Sequence, residues 1–247
     1  MYILGGENNS YLRLYFFVLW YTIISMLKII YKGEDVEKVK KDVQKAFDFV
    51  AKIFPVKIPN IIVRVHSIRA NYDKKLKRKS PDWEIADASI KNEINILSPS
   101  AFEKESPHSK KEFLLVLKHE FAHKFTMKLA GGLGWRSIPR WLDEGFAQCV
   151  SGQDKTSFLK VKEVKRGFCR NMATGTGWFK RINLSYAVSA LFVRFLIKKY
   201  SVEKIKELIS SLDKVYNYSR FEKIFYKVYK KDLSETERLF IEDLNKK

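Results

Sequence analysis

The chain has 247 residues, enough for one substantial domain or two small ones. Hydrophobic residues make up 46% and charged residues 30%, which allows a real core and excludes a bulk membrane protein. Lys and Arg number 47 against 28 Asp and Glu, a net charge of +19. That field suits an anionic membrane surface or an acidic substrate, and with no aromatic-basic motif beside the dispersed lysines no specific nucleic acid is expected.

Residues 1–25 hold an apolar run. From Leu14 to Leu27 the chain reads LYFFVLWYTIISML without a charge, bracketed by Arg13 and Lys28. Fourteen residues are short for a membrane span, which wants about 20. Glu7 and the lack of early Lys or Arg fit a signal peptide poorly. The run reads either as a core strand, being rich in aromatic and β-branched residues, or as a membrane anchor. As an anchor, the basic residues after it would favour a cytoplasmic domain. The protein is thus expected in the cytoplasm or associated with a membrane through this run.

Residues 26–247 read as one domain. Leu27 to Tyr31 is a strand that leads into a helix after Gly33. Val36, Val39, Val43, Phe47 and Val50 then carry helical spacing until Pro55 and Pro59. Ile61 to His66 is a strand, Tyr72 to Pro81 a very basic loop, and Ile85 to Leu97 a second strand ending in INIL. Ser109 and Glu112 form a capping box for a helix that runs through FLLVLKHEFAHKFTMKLA and stops at Gly131-Gly132. A further helix starts at Pro139 and carries RWLDEGFAQCV. Helices follow over Leu184–Lys199, Val202–Leu212 and Ser219–Lys230, with a charged one from Ser234. Strands come first and helices alone later, so the expected fold class is α+β: a small-sheet lobe over 26–132 and a mainly helical lobe over 133–247.

Within the capped helix stands His119-Glu120-Phe121-Ala122-His123. Residues four apart share a helix face, so both imidazoles can reach one metal, while Glu120 can reach a water without ligating the ion. Chance would produce this pattern about 0.004 times in a chain of this composition. Two histidines leave zinc short of its usual three protein ligands. No histidine follows His123; Thr126 and Leu129 replace the Gly and His that a metzincin would need. The third ligand is then a carboxylate, and Glu144 in WLDEGFA is placed for it. Asp143 points about 100° away on the same helix. Gly145 is expected to let the two motif helices approach closely. Trp141, Phe121 and Phe146 are assigned to the core. The two cysteines, Cys149 and Cys169, form no disulfide framework and no CxxC knuckle, and Cys149 should face away from Glu144.

KHEFAH followed by PRWLDEGFAQ resembles the gluzincin metallopeptidases of the MA clan, the thermolysin-like group, and is most similar to its peptidase-MA-like families. SYAVSALFVRFLIKKY is similar to a helix those families place after the site. The resemblance covers about Glu34 to Leu212, with specificity in the two central motifs. It implies a zincin fold, in which an edge strand above the metal helix holds the peptide; the strand ending INIL is the candidate edge. It also implies a catalytic tyrosine near the start of the later helix, where Tyr186 stands, with Tyr200 and Tyr216 as alternatives. Where the family often has an acid four residues after the glutamate ligand, this chain has Gln148, which can still hydrogen-bond a ligand histidine.

The expected function is zinc-dependent hydrolysis of a peptide or protein substrate, with His119, His123 and Glu144 on Zn2+, Glu120 as general base and Tyr186 as oxyanion donor. Without a GxMxN signature the expected action is that of an endopeptidase. The alternatives are a catalytically silent zincin-fold binding or scaffold protein with a basic surface, and a basic binder whose zinc is structural.

Overall fold

The computed structural model describes residues 27–54, 56, 58, 60–131, 138–153, 163–212 and 217–246. The apolar run lies outside the described residues up to position 26. Its last residue, Leu27, opens strand β1 (Leu27–Ile30). Helix α1 (Val36–Ala51) follows and buries Val39, Val43, Ala46, Phe47 and Val50, one stripe at spacings of three and four. It returns the chain to β2 (Ile61–His66), which pairs parallel with β1.

The basic stretch after β2 is not wholly a loop. Arg69–Leu76 forms helix α2. Only Tyr72 of this helix is buried, so its sequence carries no apolar period. The segment expected as one strand divides into β3 (Ala86–Asp87) and β4 (Glu93–Leu97), an antiparallel pair. Asn92, with φ of 56°, takes the left-handed turn position before β4, which Asn adopts more readily than most residues.

The sheet order is β1-β2-β4-β3, with β2 and β4 parallel. The INIL strand is therefore interior, not an edge. All five of its residues are buried, including Glu93 and Asn95. Arg64 and Lys75 reach the Glu93 carboxylate at 3.2 and 3.1 Å, and Asn95 meets His66 at 3.0 Å. The two edges are β1 and the two-residue β3.

Beyond Leu97 the described chain is helical. Ser98 caps α3 (Pro99–Glu105). Both halves of the Ser109–Glu112 capping box are present, and they open a 3-10 turn that runs into α4 (Phe113–Leu129). Helix α4 lies against α1, with Phe47 edge-on to Phe121 at 5.4 Å, and is buried on most of its circumference. Gly131, at φ 82°, ends it. Helix α5 (Arg140–Ser151) starts after Pro139 and packs on α4 and on α8 (Ile182–Tyr200). Two short helices, α6 (Phe168–Asn171) and α7 (Gly175–Phe179), lead to α8. Helices α9 (Val202–Ser210), α10 (Tyr218–Tyr229) and α11 (Leu233–Leu244) complete the chain.

Gly145 is a point of close approach, though to α8 and not to α4. A Cβ there would stand 2.7 Å from the Ser189 carbonyl carbon and 2.9 Å from Val193 Cγ2. Trp141, Phe121 and Phe146 are core residues, as expected. Both cysteines are free, and Cys149 Sγ turns to the Ala190 carbonyl on α8. Among the described residues no helix is long and apolar enough to cross a membrane.

Candidate metal centre

One turn of α4 separates His119 from His123, so their rings share the face turned to α5. Glu144, in the second turn of α5, projects between them. His119 Nε2 lies 3.0 Å from His123 Nε2; Glu144 Oε2 lies 3.3 Å from the first and 3.6 Å from the second. All three side chains are buried. Glu144 Oε2 is a buried carboxylate oxygen with no hydrogen bond among the described residues. Two imidazole nitrogens and one carboxylate oxygen thus lie within 4.8 Å of one another, a donor set that could hold a metal ion.

Electrostatics follow from this packing. Burial alone would raise the Glu144 pKa, but contacts with His119 and His123 outweigh it and hold the carboxyl well below its usual range. Burial would likewise lower His123. The carboxylates of Asp143 and Glu144 overcome it and raise the imidazole well above its ordinary value.

The other expected participants line the same cleft, a cavity of about 740 Å³. Glu120 is buried beside the histidines but is not in the converging donor set. Desolvation, with repulsion from Asp87 and Glu144, pushes its carboxyl up to about 8. Tyr186, in the second turn of α8, packs edge-on against Trp178 at 5.0 Å. Burial and the Glu144 carboxylate push its phenol up, so at neutral pH the phenol is a proton-bearing donor. Tyr200 is not at the cleft; it packs on Tyr229 at 4.9 Å. Tyr216 lies outside the described residues. His66 and His108 are engaged elsewhere, with Asn95 and with Glu112.

Three residues of this site were missed in the sequence. Asp143 is not part of the His119–His123–Glu144 group, yet its Oδ2 lies 3.0 Å from His123 Nδ1. Gln148 does not take that role: its amide nitrogen donates to the Tyr186 carbonyl at 3.2 Å. Arg140 spans Glu144 Oε1 at 3.4 Å and the Tyr186 hydroxyl, with its guanidinium 5.2 Å from the Trp178 ring centroid. Its i,i+4 spacing to Glu144 was a readable signal. Lys124, buried on α4, donates to the carbonyls of Ala88 and Ile90 and so ties α4 to the β3–β4 turn. Its only mark was a lysine directly after His123, within the motif helix.

No protein-family model and no curated protein matches the chain.

Proposed function

We propose that the chain is a zinc-dependent metallopeptidase of the gluzincin type with a zincin fold, acting as an endopeptidase on peptide or protein substrates. The observation that carries this reading is the convergence of His119, His123 and Glu144 on one point, with Glu120 beside it at the floor of an open cleft. Zinc bonds to nitrogen and oxygen of about 2.0–2.1 Å at tetrahedral angles put neighbouring donors about 3.3 Å apart. The donor separations of 3.0, 3.3 and 3.6 Å bracket that value. Two histidines and one glutamate also match a catalytic donor set, which leaves a coordination position for water, better than a closed structural one.

A bound zinc supplies Lewis-acid activation of water and of the scissile carbonyl. The remaining work falls to the chain. Glu120 ionises more readily beside a cation than its metal-free value of about 8 implies. It accepts the proton of the attacking water and delivers it to the leaving amine. The Tyr186 hydroxyl donates to the oxyanion as it forms. Asp143 holds the His123 ring so that Nε2 faces the metal position. The peptide lies along β3, the short strand at the sheet edge that borders the cleft, rather than along β4.

The test is Glu120→Gln. The variant should keep its zinc and its fold and lose peptide hydrolysis by on the order of 10²-fold or more. Near-normal turnover in a contaminant-free preparation would sink the mechanism.

A further inference from the structure

Four large hydrophobic residues stand out as exposed among the described residues: Phe49, Ile68, Trp83 and Tyr226. Only Trp83 borders the cleft. It is 48% exposed and sits at the third position of a β-turn, Pro81–Glu84, closed by the Glu84 amide on the Pro81 carbonyl at 2.9 Å. Such a ring on a loose loop would fold down onto apolar surface. This loop is not loose.

Its anchor is Arg69, at the start of α2. The guanidinium donates from all three nitrogens to the loop and to the end of α3. Nη1 reaches Ser80 Oγ at 2.8 Å, the Pro81 carbonyl at 3.2 Å and the Glu84 carbonyl at 2.9 Å. Nη2 reaches the Asp82 carbonyl at 3.0 Å and the Glu105 carbonyl at 2.9 Å, and Nε meets Glu105 again at 3.2 Å. His108 Nε2 lies 3.1 Å from the carbonyl of Trp83 itself. Every carbonyl from Pro81 to Glu84 thus has a fixed partner, and the indole is held out over the cleft by a braced backbone. Nothing in the core requires this; a half-exposed tryptophan on a turn makes little contribution to stability by burial.

The chemistry of the wall says what would meet the indole. Pro81, Ala86, Ala88 and Met127 line the same cleft with apolar surface. The charged groups beside Trp83 are engaged with one another: Arg78 Nη2 lies 2.5 Å from Glu84 Oε1 and 3.2 Å from Asp87 Oδ2. They offer little to an ionic side chain. An aromatic side chain gains apolar contact and an edge or face interaction with the indole.

We propose that Trp83, braced by the Arg69 knot, forms a subsite for an aromatic side chain of the peptide bound along β3. The subsite rests on the peptidase reading given above and adds a substrate preference to it.

The test uses the full-length, zinc-loaded Glu120→Gln chain, so that peptides bind without being cleaved. The probes are blocked, fluorophore-labelled Ala-rich hexapeptides with a single Phe moved through successive positions, read by anisotropy. At one position Phe should bind roughly tenfold tighter than Ala. Adding Trp83→Ala should reduce that preference to about twofold or less, and Trp83→Phe should restore most of it, with zinc content and thermal midpoint unchanged. A tenfold preference that survives Trp83→Ala, or no Phe preference at any position, overturns the subsite and leaves the peptidase reading standing on its own Glu120 test. Failure of every peptide to bind, together with no hydrolysis by the native chain, overturns both.

Discussion

Asp143 Oδ2 sits 3.0 Å from His123 Nδ1, on the side of the ring opposite the nitrogen that faces Glu144. A carboxylate there fixes which imidazole nitrogen carries the proton and which is left for a metal. Two adjacent acids on α5 therefore have different tasks, Glu144 toward the donor point and Asp143 toward the ring behind it. Asp143→Asn keeps the shape and removes the charge. It should weaken zinc binding about 10–100-fold with the fold intact, measured by competition against a chromogenic chelator. Unchanged affinity would reduce Asp143 to a packing residue.

The same contact sets a pH dependence. In the metal-free protein Asp143 and Glu144 raise His123 well above its ordinary pKa against the effect of burial. A raised folded-state pKa contributes stability that is full below the unfolded value, near 6.5, and is lost as pH rises through the folded value. The metal needs that imidazole neutral, so zinc and the proton compete. Zinc affinity should climb between pH 6 and pH 8 by on the order of tenfold per unit or more, His123 releasing one proton per ion bound and Glu120 adding to it where its carboxyl is still protonated. The stability of the metal-free protein should fall over the upper part of that range. In Asp143→Asn the climb should flatten at a lower pH. A flat affinity profile in the unsubstituted protein would mean that His123 is not held protonated.

Gly145 offers a test of how the site is built. It follows Glu144 directly and lets α5 seat on α8, where any Cβ would meet the Ser189 carbonyl and Val193. Gly145→Ala forces a shift of backbone against backbone, which typically costs about 1–3 kcal/mol. The thermal midpoint should drop, and zinc affinity should drop with it, because the shift moves Glu144. An unchanged midpoint would show that the interface can absorb a methyl group.

The long helices and the donor set were legible because each rests on a short-range rule. The i,i+4 spacing put His119 and His123 on one face. The capping box at Ser109 fixed where α4 begins, and the absence of later histidines singled out Glu144. What was not legible depends on partners far along the chain. Arg69 binds backbone carbonyls, which have no sequence signature. Asp143 finds His123 only once the angle between α4 and α5 is known. The resemblance makes the INIL strand the candidate edge, and alternation does not reveal a strand's neighbours; its polar residues Glu93 and Asn95 are buried against partners on β2 and α2. Helix α2 was hidden by its lysines, since only Tyr72 faces the core.

Tyr186 carries the most discriminating prediction about catalysis. Its ring packs on Trp178, its backbone carbonyl accepts from Gln148, and its hydroxyl points into the cleft beside Arg140. Tyr186→Phe keeps the ring and the backbone contact and removes only the hydroxyl. If the hydroxyl donates to the oxyanion, the bond forms in the transition state and not in the ground state, so kcat should fall while KM changes little. The expected loss is roughly 10²–10³ in rate, about 2.7–4 kcal/mol. A packing role predicts the reverse: a lower thermal midpoint and almost normal activity per folded molecule. Kinetics and melting of the one variant separate the two. Should turnover survive, Tyr200 is a poor successor, because it packs on Tyr229 away from the cleft. Arg140 is the better one: its guanidinium already lies between Glu144 and Tyr186, and Arg140→Lys should then lower kcat where Tyr186→Phe did not.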